Sequence, residues 1–124
     1  MNALSAAGWV VRVTGLVQVV LGLLIWAGVA DAIVPVHMLI GIMLVVALWT
    51  TAVLGLQAGS KPVLAGIAIA WGLLTIAFGL TQEQILPDDM HVVVEVGHLV
   101  VGLVAMGLGE MLVAAGRRGT AATA

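Results

Sequence analysis

The stretch that decides the fold is Ile33–Leu56, IVPVHMLIGIMLVVALWTTAVLGL, which contains no Asp, Glu, Lys or Arg. An apolar run of about 20 residues is long enough to cross a bilayer as a helix. Three further runs of that kind flank it, at Gly8–Val29, Pro62–Thr81 and Met90–Ala115. Of the 124 residues, 63% are hydrophobic and 8% charged. A water-soluble domain of this size would have too little polar surface to cover its core. The expectation is an all-α integral membrane protein of four helices.

The charges give the chain a direction. Arg12, Lys61, Arg117 and Arg118 fall on one side if the helices alternate, and Asp31, Glu83, Asp88 and Asp89 on the other. Lys and Arg favour the cytoplasmic face. A multi-pass protein of the cell (inner) membrane follows, with both termini cytoplasmic. The segment AGVA, Ala27–Ala30, resembles a signal-peptidase site, but the apolar run before it is too long for a signal core and no basic stretch precedes it. The chain has no cysteine, which excludes disulfides, thiol catalysis, iron–sulfur ligation and covalent c-type haem. Its net charge of -2 leaves no basic surface for nucleic acid.

Short connections around Asp31, at QAGSKP (Gln57–Pro62) and at TQEQILPDD (Thr81–Asp89) make consecutive helices neighbours. That predicts an up-down-up-down four-helix bundle forming one domain over residues 1–116, with a disordered tail at 117–124. Pro35 and Pro62 suit first helical turns, and Asp88 or Asp89 suits a cap for the fourth helix. Glycines recur every seven residues, at Gly8, Gly15 and Gly22 and again at Gly102, Gly109 and Gly116, with Gly72 and Gly79 in the third helix. Small residues at this spacing let membrane helices approach closely. HMLIG (His37–Gly41) matches HLVVG (His98–Gly102), and VVLGL (Val19–Leu23) matches IAFGL (Ile76–Leu80). These pairs suggest that one helical hairpin is repeated.

Ionisable residues inside the membrane are candidate functional groups. His91, Glu95, His98, Gly102 and Gly109 lie along one stripe of the fourth helix, and His37, Gly41, Leu44, Leu48 and Gly55 along one stripe of the second. Both stripes start from the outer face, so all three histidines fall in the outer half of the bundle. Two imidazoles on facing helices suit the axial ligation of a b-type haem. Glycine one turn further on, at Gly41 and Gly102, leaves room for the flat macrocycle. In this reading His37 and His98 ligate the iron. His91 meets a haem propionate, and Glu95 orients a ligand or accepts a proton. Arg12 and Glu110 lie at similar depth and are expected to pair, while Gln18 and Thr75 are expected to hydrogen-bond between helices.

Two segments carry a family resemblance. LVQVVLGLLIWAG (Leu16–Gly28) followed by VHMLIGIMLVVAL (Val36–Leu48) resembles the paired helices of heme A synthases, and EVGH (Glu95–His98) resembles their Glu-x-x-His motif. The resemblance covers one four-helix half of those eight-helix enzymes. The four-helix haem bundles of the cytochrome b561 type are similar at a looser level. It implies that His37 and His98 are axial ligands and that Glu95 is the active carboxylate. The arginine expected after the motif histidine is Leu99 here, and the outer-loop cysteines of many members are absent.

The function expected is therefore a bis-His b-type haem protein that transfers electrons or senses redox state or haem, within the lipid bilayer. The inner half has no histidine, so passing electrons across the membrane requires a quinone, a homo-oligomer or a larger membrane redox complex. Four alternatives share the same residues. One is a small proton-coupled transporter using Glu95. Another is a transition-metal site of His91, Glu95 and His98 completed by His37. The others are a heme A synthase-like enzyme and a structural subunit.

Overall fold

The computed structural model describes residues 1–29, 31–86 and 90–122. It is mostly helical, with no strand among the described residues: α1 spans Ala3–Trp26, α2 Val34–Gln57, α3 Pro62–Thr81 and α4 His91–Ala122. Short 3-10 turns at Asp31–Ile33 and Gln82–Gln84 lead into α2 and out of α3. All four helices are long and apolar enough to cross a membrane.

Local chemistry accounts for most of the ends. Asn2 caps α1, its side chain accepting from the Ser5 backbone N–H at 2.9 Å, so the helix begins five residues before the apolar run expected at Gly8. It stops where Gly28 takes a positive φ of 67°, a backbone conformation glycine adopts at little cost. Pro35 and Pro62 sit in first turns as expected. Gly59, at φ 90°, ends α2, and the Ser60 N–H reaches back to the Gly55 carbonyl at 2.8 Å. The proposed caps Asp88 and Asp89 lie outside the described residues.

The end of α4 departs from expectation. Residues 117–122, read from composition as the start of a disordered tail, continue the helix. Gly116 and Gly119 pack against Ala58 and Gly59 of the α2–α3 turn, and Arg117 donates to the Ser5 hydroxyl. These tertiary contacts hold a segment whose own composition favours no structure. Thr123 and Ala124 lie outside the described residues.

The helices form a ring in which α2 and α4 also touch across the middle, while α1 and α3 share no contact among the described residues. The buried core is narrow and built of alanine, leucine and valine: Leu44, Leu48 and Ala52 of α2, Ala65 and Ala68 of α3, and Ala105, Leu108 and Leu112 of α4, with Val11 of α1. Large apolar residues point outward instead; Leu16, Leu39 and Leu73 are each about 60% exposed. In water such a surface would aggregate. Facing lipid, it is the side with no reason to be polar.

Glycines set the approach of α1 to α4. Gly8 receives Val113, Gly15 receives Met106, Gly109 receives Val11, and Gly116 receives Leu4. The pairings descend α4 as they climb α1. Arg12 and Glu110 lie in the same series and make the expected pair, with Nε and a terminal nitrogen of Arg12 donating to the two carboxylate oxygens. The guanidinium also lies 5.1 Å from the centre of the Trp9 ring, a cation–π distance. Across α3, Trp71 Nε1 donates to the Val101 carbonyl at 2.9 Å and Trp49 Nε1 to that of Ile69 at 3.2 Å.

Candidate functional site: the His37–His98 pair

The inward stripe of α2 carries His37 one turn before Gly41, and below them the buried Leu44 and Leu48 close the core. The stripe of α4 carries His98 at the same level. Because α2 and α4 are the helices that touch across the middle, the two imidazoles meet there. Their centres are 6.2 Å apart and their planes inclined at 49°. Nδ1 of each ring is buried and has no hydrogen-bond partner among the described residues.

Each ring rests on a glycine of the helix that precedes it in the chain. Cε1 of His37 lies 3.4 Å, and Nδ1 3.9 Å, from where a β-carbon on Gly22 of α1 would stand. Cε1 of His98 lies 3.2 Å from the corresponding point on Gly79 of α3. The two halves of the site are thus built alike, a glycine cradle on one helix and an imidazole on the next. Phe78 closes the α3 side, its ring edge-on to His98 at 5.8 Å. In the sequence Gly22 and Gly79 belong both to the spaced glycines expected to let helices approach and to the repeated VVLGL and IAFGL segments. That repeat was the signal that they belong to the site.

Gly41 and Gly102, expected to play one role, differ. Beside Gly102 no atom of the described residues stands within 4 Å of a β-carbon position, whereas at Gly41 that space holds the amide of Gln18, its Nε2 at 2.7 Å. Gln18 Oε1 is buried and unpartnered as well. Thr75 occupies the position on α3 that Gln18 occupies on α1, four residues before the cradle glycine. Its hydroxyl donates to the Trp71 carbonyl of its own helix at 2.8 Å, so the expected bond between helices is not made. Gln18 reaches α2 but likewise makes no hydrogen bond among the described residues.

The remaining candidates stand apart from the pair. His91 Nδ1 is 3.4 Å from the Ile85 carbonyl, at the end of the α3–α4 connection. Glu95, partly exposed on α4, has no hydrogen bond or ion pair among the described residues. No three His, Asp or Glu side chains converge as metal ligands among the described residues, so His91, Glu95, His98 and His37 do not assemble into the alternative transition-metal site. No protein-family model, curated protein or solved structure matches the chain.

Proposed function

We propose that this chain is a membrane b-type haem protein in which His37 and His98 are the axial ligands. The observation that carries the reading is the spacing of the rings. A metal–imidazole bond of about 2 Å on each side, plus roughly 1 Å from nitrogen to ring centre, asks for centres about 6 Å apart. The rings stand 6.2 Å apart. The glycines at 22 and 79 seat the two rings, and at Gly102 no described atom lies within 4 Å of a β-carbon position, which leaves room on α4. Gln18 over Gly41 and Phe78 against Gly97 occupy part of the footprint and must turn aside for the macrocycle.

Bound haem supplies one-electron chemistry. The chain's own residues hold the two imidazoles on the helices that touch across the middle, and narrow aliphatic packing below them excludes water. The reading places the chain in the cell membrane as an up-down-up-down bundle with both termini cytoplasmic, supported by the side-alternating charges and the descending α1–α4 pairings. The histidines then lie in the outer half, and electrons pass to or from a partner there, whether a quinone, a second copy or a redox complex.

The test is the absorption spectrum of protein purified from haem-supplied cells. A Soret band with sharp reduced α and β bands is expected in the wild type and is expected to be lost in both His37→Ala and His98→Ala. A colourless wild-type protein would overturn the reading.

A further inference from the structure

We infer that Gln18 is the positioning residue of His37, accepting a hydrogen bond from its Nδ1 and leaving Nε2 as the free nitrogen, while His98 has no such partner. The inference deepens the haem reading by naming which imidazole is anchored before any cofactor arrives. It rests on that reading only where the imidazoles are called ligands.

The argument starts from three buried polar atoms that lack partners among the described residues: Gln18 Oε1, His37 Nδ1 and His98 Nδ1. The first can only accept and the second can donate in one tautomer. Both lie in one small quadrilateral of the bundle. On α1 the corners are Gln18 and Gly22, one turn apart; on α2 they are His37 and Gly41, also one turn apart. The amide of Gln18 lies over Gly41, and the Cε1–Nδ1 edge of His37 lies against Gly22, so that edge is directed at the helix carrying Gln18.

A buried acceptor and a buried donor left unpaired each cost their desolvation. Pairing them removes both costs at once. The terminal torsion of a glutamine is broad and permits the turn that this needs, and which end of the amide is oxygen is set by the hydrogen bonds it finds. On the other half of the site the equivalent position is Thr75, whose hydroxyl is already committed to Trp71. Nothing there matches Gln18. The two imidazoles are therefore inequivalent: His37 is held in the Nδ1–H tautomer, its Nε2 lone pair free, and His98 samples both.

The test is solid-state NMR of haem-free protein in bilayers, with 15N-labelled histidine and 13C-labelled glutamine. His37 is expected as the Nδ1–H tautomer, with Gln18 Cδ roughly 4 Å from His37 Nδ1, the separation that a hydrogen bond near 2.9 Å sets. In Gln18→Met the His37 signals should move to mixed tautomers while those of His98 stay in place, which also shows that the fold survives. An Nε2–H tautomer at His37 in the wild type overturns the inference, as does a Gln18–His37 separation too long for a hydrogen bond. A tautomer unchanged in Gln18→Met overturns it equally. None of these measurements needs haem, so a colourless wild type sinks the haem reading without touching this result.

Discussion

Gly22 lies against the ring of His37 so closely that a β-carbon at that position would stand 3.4 Å from Cε1. An alanine there would meet the ring at van der Waals contact; a branched residue carries further carbons toward it. Gly79 stands closer still to His98, 3.2 Å from a β-carbon position to Cε1, where even an alanine is tight.

The first prediction follows from this contact. Gly22→Val and Gly79→Val should each reduce haem retention about tenfold or more, since overpacking costs roughly 1–3 kcal/mol and about 1.4 kcal/mol is a factor of ten. Gly66→Ala is the control, because no atom of the described residues lies within 4 Å of its β-carbon position. The ratio of Soret to protein absorbance after purification decides. Equal ratios in all three variants would remove the glycines from the site.

Packing between α1 and α4 gives a second. Val11 side-chain carbons stand 2.9 Å and further from the β-carbon position of Gly109, so Gly109→Ala forces Val11 or the helices to shift. A loss of about 1–3 kcal/mol is expected for an overpacked core site, with much of it restored in the double variant Val11→Ala/Gly109→Ala. Unfolding in detergent mixtures measures both. Simple additivity of the two substitutions would show that they do not share the space.

The Arg12–Glu110 pair yields the third. Arg12→Ala should lower the thermal midpoint by leaving Glu110 without its partner inside the span, and the double variant Arg12→Ala/Glu110→Ala should recover part of the loss. If the double variant is no better than the single, the pair is not what matters at this level.

Trp71 supplies the fourth. Trp71→Phe keeps an aromatic ring but deletes the donor to the Val101 carbonyl, which should cost about 0.5–1.5 kcal/mol without moving the Soret maximum. A shifted maximum would tie α3–α4 spacing directly to the ligands.

Glu95 separates the haem reading from the transporter alternative. It makes no hydrogen bond with either imidazole and no ion pair among the described residues. Glu95→Gln should leave the spectrum and the reduction midpoint unchanged. Proton-coupled uptake that disappears in the same variant would favour a carrier instead.

The four spans are legible because hydrophobic length alone predicts them, and α3 matches its expected bounds, Pro62 and Thr81, where a proline opens the helix. The end of α4 was not legible, because Gly119 reads as a tail residue until Ala58 and Gly59 are brought against it. Helical spacing alone placed His37 and His98 on inward stripes. It could not distinguish Gly41 from Gly102, since that difference depends on what the opposite helix offers, a glutamine on α1 and a threonine on α3. The cradle at Gly22 and Gly79 was visible as a repeat and not as a contact, because spacing within one helix does not reveal which residue of another will lie against it.

The paired construction of the cradles makes each hairpin self-sufficient in one respect. The segment of α1 and α2 contains a glycine seat and the imidazole that rests on it, and so does the segment of α3 and α4; neither owns both rings. Severing the chain in the α3-facing connection near Ser60 should therefore yield two fragments that recombine in a bilayer, colour returning only when they meet. A duplicated ancestor of one hairpin, dimerising with itself, would already have possessed the whole arrangement.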